Sequence, residues 1–398
     1  MARNITVGID IGTYQVKVAV AEQIKGAHGN EPKIIGAGCS ESRGLRHGYI
    51  INSTDVVKSI HEAVTQAEKT SGQKIRRAFL SVGGIGLSSL VSQGTAMISR
   101  ADNEITNLDV SKALENCEKE IPSSIILNKK IIHAVPIQYK LDGKPVLGRP
   151  IGMKGIKLEV KVLFITCLEH HLNDLIQAIE EVGVEVVDVM ASPLAASLVT
   201  LSKTQKIAGC VLANIGAETV SIVVYENNLP VSIEVFPIGS TDITNDIALG
   251  LKVALEEAEH IKHGAVTSTS YPRKKLEEII GARLEDIFKL IEAHLKKINR
   301  DGLLPAGIII TGGGGVFGSI SVEELAKHAL RLPSRIASIY LGADGKSNIK
   351  DSSWSVAFGL CVFGLNAGDE GSVGISTFSA LFKKFWKSIM NFVHQFLP

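Results

Sequence analysis

The chain has 398 residues, 45% of them hydrophobic, and carries 42 basic and 41 acidic side chains for a net charge of +1. That length suits two or more domains with substantial apolar cores, and the near-neutral balance excludes the basic face that bulk nucleic-acid binding needs. Six aromatic residues and three lysines crowd into the last 21 positions with no acid among them, so the rest of the chain carries two net negative charges. Cys39, Cys117, Cys167, Cys210 and Cys361 are widely spaced and odd in number. They read as reduced core residues and not as metal ligands or disulfides. No signal peptide is expected, because residues 1–10 run directly into a strand pattern. The apolar centre of the uncharged stretch 352–368 is too short to span a bilayer.

In chain order, strand-like and helix-like runs alternate, which predicts an α/β architecture. Residues 5–11 and 16–21 form a predicted hairpin around a glycine-containing turn. Residues 55–68 form a predicted helix with Val56, Ile60, Val64 and Ala67 on one face. Between 83 and 166 short strand-like pieces, four prolines and one helical segment (109–120) suggest a subdomain inserted into the first α/β half. A helix at 172–182 and a buried strand at 184–189 follow. Strands at 207–215, 219–225 and 231–238 then repeat the opening pattern, with DIGTYQ in the first turn matched by NIGAET in the second. Two copies at this spacing imply a duplicated domain. Charged helices are predicted at 241–263 and 272–299, and a third glycine-rich turn follows the strand IIIT at 308–311. Residues 366–376 read as a linker.

Glycines after a strand let the backbone approach a phosphate and let N–H groups converge on it. Any one such turn fits an ordinary tight turn equally well, but three in this order are more specific. Together they resemble the nucleotide site of the actin/Hsp70/sugar-kinase superfamily. There two hairpins clasp the phosphates and a third turn holds the adenosine. The EHIK segment at 259–262 supplies Glu259 and Lys262 where that superfamily contacts ribose and adenine, although an i,i+3 pair also suits a solvated surface. The stretches at 192–197 and 354–365 match its two domain-connecting helices.

Within the superfamily the chain resembles the bacterial FtsA family along nearly its whole length. The resemblance rests on GLRHGYIIN (44–52), AFLSVGG (78–84), HAVP (133–136), VLFITC (162–167), GSTDITNDI (239–247) and EHIKHG (259–264). It implies duplicated ribonuclease-H-like domains: a first actin-like subdomain (1–82 and 167–192) interrupted by an inserted one (83–166), and a second (193–248 and 303–350) interrupted by 249–302. A connecting helix (351–366), a linker (367–377) and a C-terminal amphipathic helix (378–398) complete it.

The resemblance also implies cofactors, ATP and Mg²⁺. Asp10, Gly12, Thr13, Tyr14, Gln15 and Lys17 would hold phosphate in the first turn, and Asn214, Gly216, Ala217, Glu218 and Thr219 in the second. Gly239, Glu259, Lys262, Gly312, Gly313, Gly314, Gly315, Val316 and Phe317 would surround the adenosine. Asp10 would reach the metal through water, with Asn214 a weaker candidate. Superfamily members usually carry Asp where Asn214 stands, and the related MreB-like branch carries a catalytic Glu where Ser192 stands. No catalytic residue is assigned, and ATP turnover is expected to be slow or absent. A sugar kinase is disfavoured because no acidic base is evident.

On a helical wheel, Phe378, Leu381, Phe382, Phe385, Trp386, Ile389, Phe392, Val393 and Phe396 share one half, with Lys383, Lys384 and Lys387 opposite. That pattern predicts a helix lying in a membrane interface; packing on the chain's own body or on a partner is the alternative. The implied role is a polymerising protein that tethers the tubulin-like FtsZ, through its C-terminal peptide on 249–302, to anionic lipid at the cytoplasmic face of the division site. It would also recruit later division proteins. The rivals are a PilM-like pilus-assembly protein and an actin-like-fold kinase or ATPase.

Overall fold

The computed structural model describes residues 4–26, 29–265, 271–315, 320–341, 347–349 and 351–368. Val316, Phe317 and the C-terminal amphipathic segment lie outside these residues.

Two five-stranded sheets organise the chain, and they have the same plan. In the first, Ile5–Ile11, Gln15–Gly26 and Gly29–Glu41 form an antiparallel meander; Arg77–Val82 joins parallel to the first strand and Glu185–Ala191 parallel to that. In the second, Cys210–Ile215, Val220–Glu226 and Leu229–Phe236 form the meander, with Ile308–Thr311 and Ser334–Ile336 added in the same places and directions. This is the expected duplication, in the order of an actin-like α/β fold.

Strand alternation decides what covers each face. Val16, Val18 and Val20 pack under helices Ser53–Ser71 and Glu169–Glu180, while Ala19 and Ala21 face helix Ser355–Gly368. The small residues on that face are a steric requirement. A Cβ on Gly8 would stand 2.4 Å from the Ala357 carbonyl oxygen, and one on Gly359 would stand 1.9 Å from that of Ala195, in helix Ser192–Thr200. The two connecting helices therefore cross at backbone contact distance.

The insertion lies between the fourth and fifth strands of the first sheet. Strands Ser88–Met97, Lys157–Leu168, Lys129–Leu141 and Lys144–Val146 form its sheet, with helix Asn107–Lys119 packed on it. A Cβ on Gly94 would meet the Cys117 amide nitrogen at 2.4 Å, which fixes how low that helix sits. Buried His133 ties the insertion to the first half by accepting a 3.1 Å hydrogen bond from the Ala191 N–H. Ser89 ties it to the second half, exchanging hydrogen bonds of 3.0 and 2.7 Å with the Ile233 main chain.

Two sequence expectations are corrected. Ile207 does not begin a strand: it sits in the short helix Lys203–Ala208, capped by Ser202, and the strand starts at Cys210. The helix expected over 241–263 is two, Ser240–Leu251 and Leu255–Lys262. Lys252 adopts a left-handed conformation (φ 58°) that ends the first, a break that apolar periodicity does not reveal. All five cysteines are unpaired, four of them buried.

Candidate functional site

A cleft of about 740 Å³ opens between the two sheets. Both hairpin turns reach it, and their backbones match. Gly12 N–H donates to the Gln15 carbonyl at 3.1 Å, and Gly216 N–H donates to that of Thr219 at 2.9 Å. A Cβ on either glycine would press on that same carbonyl, at 2.9 and 3.0 Å. The third turn packs against the second: a Cβ on Gly314 would stand 2.9 Å from the Gly216 carbonyl, and Gly312 (φ 93°) lies against Asn214 and Ile215. The glycines thus leave a cradle that side chains would fill.

The charges of the first hairpin sit on its floor. Asp10 and Lys17 are direct cross-strand partners. Burial raises the Asp10 carboxyl above the usual range, offset in part by a 2.6 Å hydrogen bond from Ser81 and by the Lys17 charge. Burial likewise lowers the Lys17 ammonium, against the pull of Asp10 and Asp351. Lys17 Nζ donates to the Ser353 carbonyl at 2.9 Å and lies 5.7 Å from the Trp354 ring centroid. Thr311, at the third turn, donates to the neighbouring Ser352 carbonyl at 3.0 Å. Segment 351–355, at the root of a connecting helix, is held from both halves.

Glu259 and Lys262 do not form a solvated surface pair. Lys262 is 3% exposed and donates to Glu259 at 2.6 Å and to Thr244 at 2.8 Å. Thr244 donates to the same Glu259 oxygen, and His263 bonds the other at 3.1 Å. Burial would raise the Glu259 carboxyl, but the hydrogen bonds from Lys262 and Thr244 outweigh it and the net shift is downward. Gly239 is pressed against the second turn, where a Cβ would stand 2.2 Å from the Ala217 carbonyl oxygen. Gly216 and Ala217 in turn accept from the N–H groups of Ser240 and Thr241.

The structure brings Asp10, Gly12, Thr13, Tyr14, Gln15, Lys17, Asn214, Gly216, Ala217 and Thr219 to one cleft with Glu259, Lys262, Gly312, Gly313 and Gly314. Gly315, next in the chain, is buried. Glu218 is placed differently: its carboxylate accepts from the His47 N–H of the opposite half. Sequence reasoning missed Ser81, Thr244, Asp351 and His171. Ser81 and Thr244 sit inside stretches already singled out at 78–84 and 239–247, so their position was legible but their role was not.

Asp10 fits an ion reached through water: desolvation raises its carboxyl in spite of Ser81 and Lys17, and a nearby cation would favour the charged form. Among the described residues no cluster of three or more His, Cys, Asp or Glu could hold a metal. An ion here would take most ligands from water and phosphate oxygens, as Mg²⁺ does.

Matches to known proteins follow the same division. Residues 211–359 match the family model described as cell division protein FtsA, and residues 84–166 match the SHS2 domain inserted in FtsA. Cell division protein FtsA of Borreliella burgdorferi is 31% identical over 91% of this chain and 91% of its own length. The chain belongs to the FtsA family of cell division proteins. The FtsA proteins of Bacillus subtilis (30% identical, 90% of this chain and 83% of that one) and Pseudomonas aeruginosa (29%, 95% and 94%) agree. Among solved structures, a chain of the PilM-PilN type IV pilus biogenesis complex superposes with a TM-score of 0.64 at 16% identity, covering 90% of this chain and 98% of its own. MreB5 of Spiroplasma citri bound to ADP gives 0.51 at 13% identity, covering 92% and 99%. At such identities these neighbours attest the actin-like fold alone.

Proposed function

We propose that this FtsA-family chain binds Mg-ATP in the cleft, polymerises, and tethers FtsZ to the cytoplasmic face of the membrane at the division site, where it recruits later division proteins. The observation that carries the nucleotide reading is the pair of matching glycine turns facing one cleft, with Asp10 and Lys17 beneath one of them. Glycine turns that let the backbone come close, and a buried lysine, suit phosphate oxygens, and Glu259 and Lys262 offer hydrogen bonds toward a nucleoside.

ATP turnover is slow in this reading. Ser192 and Asn214 supply no carboxylate, Asp10 is engaged by Ser81, and Glu259 by Lys262 and Thr244. Phosphate release above about one per second, within the usual enzyme range, would overturn it.

Membrane attachment is assigned to the segment 378–398. Among the described residues no helix is long and apolar enough to cross a membrane. Full burial of the tail's large apolar side chains would give roughly 15–30 kcal/mol gross, against about 1–2 kcal/mol per residue for ordering it. One tail therefore binds modestly, and a filament carrying many binds firmly through avidity. The segment 249–302 is the proposed seat of the FtsZ C-terminal peptide. Co-sedimentation with FtsZ and anionic vesicles, with and without residues 378–398, tests the assignment. Loss of vesicle binding with FtsZ binding kept supports it; vesicle binding that survives the truncation refutes the anchor.

A further inference from the structure

The GLRHGYIIN motif folds into a structure that the nucleotide reading leaves unused. Leu45–Arg46 and Tyr49–Ile50 pair as a miniature hairpin whose two tip residues, His47 (φ 48°) and Gly48 (φ 86°), both have positive φ. Such tips twist with their strands and hold a compact shape. The tip rests on the glycine loop of its own half, where a Cβ on Gly48 would stand 2.6 Å from the Gly84 Cα. It then crosses to the other half. The His47 N–H donates to the Glu218 carboxylate, and His47 Nδ1 lies 3.2 Å from the Glu218 carbonyl oxygen. Glu218 belongs to the second glycine turn, so the hairpin joins one half of the molecule to the phosphate turn of the other. Beneath it the Tyr49 and His171 rings meet at a centroid distance of 4.7 Å, tilted by 54°. His171 donates through Nε2 to the Gly83 carbonyl, and its Nδ1 is buried without a hydrogen-bond partner. That buried nitrogen is a polar group left unpaired directly beneath the hairpin.

We infer that hairpin 45–50 is a latch across the cleft, held by Glu218, which closes together with nucleotide binding. A ligand lying between the two halves and a bond joining them both favour the closed cleft. By linkage each then strengthens the other to the same degree. This coupling rests on the ATP reading; the latch itself does not.

Amide hydrogen exchange of the full chain, with and without Mg-ATP, provides the test, alongside direct measurement of Mg-ATP affinity. Glu218→Ala removes the carboxylate. Gly48→Ala unseats the tip from Gly84 without changing the second turn. Without nucleotide, both variants are expected to exchange faster at 44–50 and 83–84, with the sheets unaffected. In the unsubstituted chain Mg-ATP slows exchange at 44–50, and both variants bind it about 5- to 10-fold more weakly, chiefly through faster dissociation. Unchanged exchange at 44–50 in Glu218→Ala, or a rise spread over the whole chain in both variants, overturns the latch. Mg-ATP bound with no change at 44–50 and no loss of affinity in the variants overturns the coupling. If the unsubstituted chain does not bind Mg-ATP, the ATP reading fails, and the nucleotide-free exchange still decides the latch.

Discussion

The two hairpins share a backbone and differ in chemistry. Each begins with an Ile-Gly turn closed by the same glycine hydrogen bond, and each places one polar cross-strand pair below that turn. In the first hairpin the pair is Asp10 opposite Lys17; in the second it is Asn214 opposite Ser221. Duplication therefore preserved the cradle while confining the charged cross-strand pair to the first hairpin. A neutral pair packs in the same frame, so the charged pair is not needed for folding. Replacing Lys17 with Ser alone leaves the Asp10 carboxylate with only the Ser81 hydrogen bond to offset its desolvation and should cost about 1–3 kcal/mol. The double change Asp10→Asn with Lys17→Ser copies the second hairpin and should recover most of that stability. It should still weaken ATP binding about 100-fold, the scale of losing a charged hydrogen bond to phosphate. Denaturant midpoints and calorimetry on the two variants decide it: a double variant no more stable than the single one breaks the comparison.

The halves differ again in the insertion, which only the first carries and which hangs partly on one imidazole. Burial lowers the His133 pKa to about 4, keeping Nε2 free to accept from the Ala191 N–H. A folded-state pKa below the unfolded one favours the neutral ring, so this stability is complete above about pH 6.5 and is lost as pH falls toward 4. The chain should be about 2 kcal/mol less stable at pH 5 than at pH 7 from this group alone. His133→Gln, whose side chain also offers an acceptor, should flatten that dependence. Equal pH slopes in the two proteins would assign the acid sensitivity elsewhere.

The fold was legible because its signals are local and repeated. Apolar strands, the glycine turn after each opening strand, and the compositional change at 83–166 all lie within short windows. The second-half helix break was not legible, because Lys252 is an ordinary helix former that tertiary packing places in a left-handed turn. The site was legible in outline for the same reason as the fold: its glycines follow strands. What escaped is whatever depends on contacts across long separations. Ser81 reaches Asp10 over 71 positions and Glu218 meets His47 over 171. Glu218 looked like one more turn residue until the opposite half was folded against it. Conversely, the Glu259–Lys262 spacing fitted a solvated pair until Thr244 and Ser240 were seen to enclose the lysine.

A smaller pair of changes asks whether the cradles are as equal as their backbones. Gly12→Ala and Gly216→Ala each push a Cβ onto a carbonyl about 3 Å away, and each should cost about 1 kcal/mol as the turn yields. If both turns hold phosphate, the two losses of ATP affinity should agree within about threefold; a loss in Gly12→Ala alone would show that only the charged side grips the ligand. Asn214→Asp then probes the neutral side directly. It adds a carboxylate to the turn opposite Asp10, where an ion between the two could draw on both water shells. Turnover should rise by no more than about tenfold and become more steeply dependent on Mg²⁺, because Ser192 still offers no carboxylate to activate water. The new charge must also fit against Gly312, whose would-be Cβ stands 2.4 Å from Asn214 Oδ1. A loss of thermal stability without any change in Mg²⁺ dependence would therefore mean that the amide at 214 serves the packing of the third turn and not the ion.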